Sequence, residues 1–100
     1  ITRCKFNCYT NQGKIIEHTR HTDREPDDYP EGKGFTAVLN LTTCNGYTVL
    51  EEKEKKVIPS VENELIVFDS GTYHYGAVQS DTPMRFVVNI NGNTLNQHFL

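Results

Sequence analysis

Tryptophan is absent from this chain, methionine occurs once and cysteine three times. No apolar run approaches the roughly 20 residues a membrane-spanning helix needs, and no signal-peptide h-region is visible, so a membrane partner is not expected. An odd number of cysteines without framework spacing excludes a disulfide-stapled scaffold and reads as a reducing, cytoplasmic compartment. Cys4 and Cys8 are four apart in a strand-like segment. Their Cα atoms would stand roughly 13 Å apart, too far to bridge. CxxxC without a second pair is also a poor zinc signature. All three thiols are expected to be ordinary packed or surface groups.

Cationic side chains are scarce as well. Ten Lys and Arg against 13 Asp and Glu leave a formal net charge of −3, which argues against a surface made for phosphate backbones. A nucleic-acid partner is therefore not expected, while a peptide or small-molecule substrate is left open. There are no repeats and no low-complexity segments. With 36 % hydrophobic and 23 % charged residues the composition is that of a soluble globular protein. One hundred residues make one domain, 1–100, at the small end for a single core. The chain opens on Ile1 rather than Met, so it reads as trimmed or as a portion of something longer.

Helical periodicity is missing too. The apolar residues recur with a period of two, and no amphipathic helix is found. Residues 3–9 and 14–20 read as strands around the turn Thr10-Asn11-Gln12-Gly13. Residues 24–34 hold Pro26, Pro30, Gly32 and Gly34 and read as a loop. Residues 35–42 alternate, with Phe35, Ala37, Leu39 and Leu41 on one face, and Asn45-Gly46 is a tight-turn signal before a strand over 47–51. The charge run 51–56 reads as a solvated hairpin tip, and 57–59 as a short strand. Residues 64–69 (ELIVFD) read as a buried strand, 75–79 and 84–91 as two more, and 94–99 as a last short one. Eight or nine short strands separated by Gly, Pro and Asn turns predict an all-β jelly-roll sandwich or barrel, narrow enough to hold one small ligand.

The chemistry-bearing segment is His21-Thr22-Asp23. On a strand, residues i and i+2 share a face, so imidazole and carboxylate would emerge together. His74 follows the strand over 64–69. Two histidines and a carboxylate make the facial triad of non-haem Fe(II) oxygenases, which leaves coordination positions open. HxD alone is a weak signal. Arg85 strengthens it: in the otherwise apolar Met84-Arg85-Phe86-Val87-Val88 a buried charge must be paired, and a guanidinium clamps a carboxylate bidentately. A metal at one end and Arg85 at the other would suit a ligand with two carboxylates. Asn89 and Asn91 share parity with Arg85, so Asn89 is a candidate lining residue. His18, three residues from His21, would face the other way on a continuous strand, and His98 reads as structural or exposed. Tyr73 and Tyr75 would point away from the metal.

HxD, the strand 35–41, Asn45-Gly46-Tyr47-Thr48, Glu64-Leu65-Ile66-Val67-Phe68-Asp69, His74 and Arg85, in that order over residues 9–91, resemble the prolyl-4-hydroxylase-like branch of the Fe(II)- and 2-oxoglutarate-dependent oxygenases. The HTD, NGYT and R-x-V-x-N-x-N motifs look closest to small phage-encoded members, which would place the protein in the host cytoplasm. The resemblance implies a minimal double-stranded β-helix (a jelly-roll, cupin-like barrel) with few or no helices. It implies His21, Asp23 and His74 as iron ligands and Arg85 as the partner of the distal carboxylate of 2-oxoglutarate. Tyr9 matches a cosubstrate-contacting tyrosine. Asn40 stands where the family often has a Tyr supporting that carboxylate; the departure puts the contact in doubt, though an amide can still donate a hydrogen bond.

By the same resemblance the chain would be a dioxygenase that hydroxylates a C–H bond, with a prolyl residue of a peptide as the family-based guess, and releases succinate and CO2. Fe(II), 2-oxoglutarate and O2 would be its cofactors and cosubstrates, with ascorbate as reductant. The loop 24–34 stands where a substrate lid is expected, and a plain surface connection is an equal reading. Larger members carry helices on the major sheet; none is visible here, so an uncovered apolar face would favour a homo-oligomer or a covering partner. A catalytically silent jelly-roll binding or structural module, a cupin-like metal protein of other chemistry, and an assembly protein with incidental His and Asp remain open.

Overall fold

The computed structural model describes residues 3–23 and 34–93. The expected last strand, His98 and nearly all of the expected lid loop lie outside the described residues. Eight strands are present: β1 (Arg3–Thr10), β2 (Ile16–Glu17), β3 (Gly34–Asn40), β4 (Cys44–Glu51), β5 (Lys55–Ser60), β6 (Leu65–Asp69), β7 (Tyr73–Val78) and β8 (Met84–Asn93). Among the described residues there is no helix. The strands form two four-stranded antiparallel sheets, ordered β1-β8-β3-β6 and β2-β7-β4-β5. The chain alternates between them, as in a double-stranded β-helix. No ladder joins the two sheets among the described strands, so the arrangement is cupin-like without a closed barrel.

Side-chain alternation divides each sheet into an inner and an outer face. From β3 the inner face receives Thr36, Val38 and Asn40, all buried. The apolar core between the sheets is small: Val38, Leu50, Phe68 and Val87, with Tyr9, Ile58 and Ile66 packed against it. Much of the remaining interior is polar, with Thr48, Ser60, His74, Arg85 and Asn91 buried. The sheets thus border a cavity beside the core whose wall mixes polar and apolar groups.

The alternating apolar face over 35–41 is the outer one: Ala37 lies between Val67 and Ile90, and Leu39 between Leu65 and Val88. β1 extends that face, setting Phe6 opposite Val88. Nothing among the described residues covers it, and Phe6, Val67 and Leu65 are 61 %, 59 % and 56 % exposed. β6 is therefore not a buried strand but a sheet edge, with only Phe68 buried. The expected strand over 14–20 shrinks to the two residues of β2. Beyond it, pairing with β7 continues as single contacts, His18 N–H to Gly76 O and the His21–His74 bridge.

Asn45-Gly46 is not a hairpin turn. Both residues lie inside β4, where pairing with β5 slips between Cys44 and Tyr47, the mark of a bulge. The true hairpin is β4–β5, closed at Glu51 opposite Lys55. Gly46 serves close approach: a Cβ there would stand 2.8 Å from Ala77 O and 3.0 Å from Arg85 Cδ. We expect Gly46→Ala to lower stability by about 1–3 kcal/mol, the usual cost of overpacking. Denaturant unfolding would read it; an unchanged midpoint would mean that β4 yields without strain.

Candidate metal centre

His21 and His74 are brought together by the backbone. Each donates its N–H to the other's carbonyl at 2.9 Å, and this isolated bridge sets the two rings side by side, with centroids 4.4 Å apart. Asp23 has left the strand, but its N–H donates to Ser70 O at 3.0 Å and so ties it to the end of β6. His21 Nε2 is 3.5 Å from Asp23 Oδ1, and His74 Nε2 is 3.5 Å from Asp23 Oδ2. Ligand atoms of all three lie within 4.8 Å of one another. Donors each about 2.0–2.2 Å from a common divalent ion would stand roughly 3–3.6 Å apart, the spacing of the two Asp23–histidine pairs.

Second contacts aim these donors. His21 Nδ1 faces Thr19 O at 3.2 Å and His74 Nδ1 faces Thr72 O at 2.9 Å. A proton held on Nδ1 leaves the Nε2 lone pair directed at the shared point. Asp23 Oδ2 accepts from Thr36 Oγ1 at 2.7 Å and Asn91 Nδ2 at 3.2 Å. Asn91 Nδ2 also donates to Thr36 Oγ1, and Arg3 Nε donates to Asn91 Oδ1 at 3.1 Å. Burial by itself would raise the Asp23 carboxyl, but the Thr36 and Asn91 hydrogen bonds, with His74 and His21 nearby, outweigh it and hold the carboxyl below its ordinary value. Burial pushes the His74 imidazole down, against the opposing pull of Thr72 O and Asp23. Both shifts favour the metal-binding forms, an ionised carboxylate and a neutral imidazole.

The triad borders a cavity of about 230 Å³, small beside the roughly 300–1,000 Å³ of drug-sized sites. His74 is buried and His21 is half-exposed at the mouth. At the other end stands Arg85, 2 % exposed. Its Nε donates to Ser60 Oγ, Nη1 to Ala77 O and Nη2 to Asn40 Oδ1, each at 3.2 Å. All three acceptors are neutral, and Arg85 meets no carboxylate among the described residues. Burial lowers its pKa, yet a guanidinium stays charged in proteins. Gly76 also borders the cavity, and a Cβ placed on it would be 4.0 Å from Arg85 Nη1.

Of the residues expected from sequence, His21, Asp23, His74, Arg85, Tyr9 and Asn89 all border this one cavity. The Tyr9 ring lies 5.9 Å from the Arg85 guanidinium, and burial raises its phenol pKa against Arg85's opposing pull. Asn40 is fully buried; its Oδ1 holds Arg85, while its Nδ2 has no acceptor. His18 also borders the cavity, against the Tyr9 ring at 5.6 Å, because β2 stops at Glu17 and the parity that turned His18 away ends with it. Tyr73 is exposed under the Arg20 guanidinium, away from the triad. The bracing residues Thr36, Asn91 and Arg3 went unassigned. Parity with Arg85 had already placed Asn91 on the correct face.

No protein-family model matches the sequence, and no curated protein is detectably similar to it. The fold does match solved structures. A prolyl-4-hydroxylase from Pseudomonas putida superposes with a TM-score of 0.64 at 23 % identity, covering 88 % of this chain and 49 % of that one. A prolyl hydroxylase from Trichoplax adhaerens, in complex with a hypoxia inducible factor oxygen degradation domain peptide fragment, gives 0.64 at 22 % identity, covering 92 % and 43 %. A cupin protein from Bacteroides fragilis gives 0.63 at 10 % identity, covering 93 % and 66 %. The chain thus has the double-stranded β-helix arrangement common to these proteins, and it spans about half the length of the two hydroxylases.

Two outcomes are expected. Asn91→Ala should weaken Mn(II) or Co(II) binding about 10–100-fold, the usual cost of losing a contact that orients a ligand, as measured by isothermal titration. The metal-free chain should also lose stability as pH falls. A histidine with a depressed folded pKa binds fewer protons than its unfolded form, so His74 adds stability above its ordinary value of 6.5 that is lost as pH falls below it. Asp23 acts in the same direction below its ordinary 3.8. In His74→Gln the decline below pH 6.5 should flatten in thermal melts.

Proposed function

We propose that this chain is the catalytic core of an Fe(II)- and 2-oxoglutarate-dependent oxygenase that hydroxylates a C–H bond, in a prolyl residue of a peptide, with release of succinate and CO2. The observation that carries the reading is one small cavity with a two-histidine, one-carboxylate set at its mouth and, at its buried end, a guanidinium that meets no anion among the described residues. The donor set suits ferrous iron and leaves coordination positions open. When bound, iron with 2-oxoglutarate and O2 supplies the oxidising chemistry.

The protein's part is to bind and orient. His21, Asp23 and His74 would hold the ion. Arg85, fixed by Ser60, Ala77 and Asn40, would receive the far carboxylate of the cosubstrate. His74 and Gly76 share the inner face of β7, about 6.6 Å apart, and Gly76 leaves that wall open. A short diacid can therefore reach from the metal end to Arg85. Tyr9, beside Arg85, would close the pocket around it. The prolyl assignment draws on the two hydroxylases that share the fold. A cupin-like protein of other chemistry, the reading the Bacteroides structure favours, gives Arg85 no anion to meet.

Arg85→Ala should weaken 2-oxoglutarate binding about 100-fold, the worth of a charge-assisted bidentate pair, while Mn(II) affinity holds. Titration calorimetry reads both, and succinate release from prolyl peptides, with Fe(II) and ascorbate present, reads turnover. Metal and 2-oxoglutarate binding without succinate would identify a silent binding module. Unchanged 2-oxoglutarate affinity in Arg85→Ala would remove the cosubstrate reading.

A further inference from the structure

Along β1 the cavity-facing side chains are Arg3, Lys5, Asn7 and Tyr9, every second residue. The ladder with β8 sets them opposite Asn91, Asn89, Val87 and Arg85. Tyr9 and Arg85 form the buried end. Arg3 belongs to the metal end, through Asn91 to Asp23. Lys5 is the next residue on that face, about 6.6 Å along the strand. Both cations are exposed. Neither meets a carboxylate among the described residues.

The local charge therefore runs against the global one. The whole chain carries −3, yet the cavity wall presents Arg3, Lys5 and Arg85 against Asp23 alone. Asp23 is committed to the histidines and Arg85 lies at the closed end. Arg3 touches the metal end only through its Nε contact with Asn91, Lys5 serves neither pole, and both stand on the open side. Between them and the core, the amides of Asn7 and Asn89 border the same stretch, with the donors and acceptors that a peptide main chain requires.

We infer that Arg3 and Lys5 select a substrate that carries a carboxylate within a residue or two of the oxidised C–H bond. This deepens the oxygenase reading and rests on it for the reaction, though not for the binding. The carboxylate belongs either to an acidic side chain flanking the target residue or to a chain end. A polyanionic nucleic acid is disfavoured, because two cations on an acidic protein make a local site and not a tract.

The test is fluorescence anisotropy of labelled prolyl peptides on the whole chain with Mn(II). Four peptides are compared: Glu-flanked, Gln-flanked and Lys-flanked, each amidated, and a Gln-flanked peptide ending on the free carboxylate of its Pro. The Glu-flanked peptide should bind about tenfold more tightly than its Gln isostere, the worth of a charge-assisted contact, and salt should narrow the gap. Lys5→Glu should invert the order in favour of the Lys-flanked peptide. If the free-terminus peptide matches the Glu-flanked one, the carboxylate is that of a chain end. Equal affinity for all four peptides overturns the inference, as does a Glu preference that survives Lys5→Glu. Turnover of 2-oxoglutarate is read in parallel on the chain loaded with Fe(II), with ascorbate present. A Glu preference without turnover sinks the oxygenase reading and keeps the carboxylate site, whereas turnover without preference does the reverse.

Discussion

Burying the Arg85 guanidinium, 2 % exposed between two sheets, obliges the chain around it to satisfy a charge that cannot be neutralised. Four other strands answer that demand. β3 supplies Asn40, β5 supplies Ser60 and β7 the Ala77 carbonyl. β4 bulges at Gly46 so that the side chain can pass. Ser60 Oγ also donates to Thr42 O at 2.6 Å, fixing it in place. These acceptors satisfy the N–H groups without cancelling the charge. A buried cation surrounded by neutral acceptors is costly; under the proposed function its missing counter-charge is the far carboxylate of the cosubstrate.

The metal end solves the opposite problem. There the buried charge is the Asp23 carboxylate, steadied by Thr36 and Asn91 and kept ionised beside two imidazoles. Two poles of unlike sign thus face each other across a small cavity, with Val38 and Val87 on the wall between them. This division has a cost in packing. Space that would hold apolar side chains in a sandwich of this size holds polar groups and solvent-accessible volume, and the core is reduced to a few residues around Leu50 and Phe68. The outer face of the β1-β8-β3-β6 sheet, with Phe6, Leu65 and Val67 exposed, adds apolar surface that contributes little burial to the described residues.

Much of this was legible in the chain itself. Period-two alternation and turn residues predicted an all-β fold and placed most strands to within a residue or two. A charged side chain inside an apolar strand marked Arg85, because burial without a partner is prohibitive. HxD and His74 marked the candidate ligands, because two imidazoles and a carboxylate are the donor set of a facial triad. Where the reading failed, it failed on pairing. His18 was turned away by a parity rule that holds only while a strand continues, and β2 ends at Glu17. Gly46 was read as a turn because a turn and a bulge ask for the same small residue.

The residues alone determined the local chemistry: which segments extend, which side chains share a face, and which charges need partners. They could not determine which of two faces is the inside, since alternation is symmetric between them. Phe35, Ala37 and Leu39 are more apolar than Thr36, Val38 and Asn40, yet the second set faces the interior between the sheets. That choice was made by contacts distant in sequence, Thr36 to Asp23 and Asn91, and Asn40 to Arg85. Satisfying buried polar atoms outweighed hiding apolar surface, and only the pairing of strands across the chain brings those atoms within reach of one another.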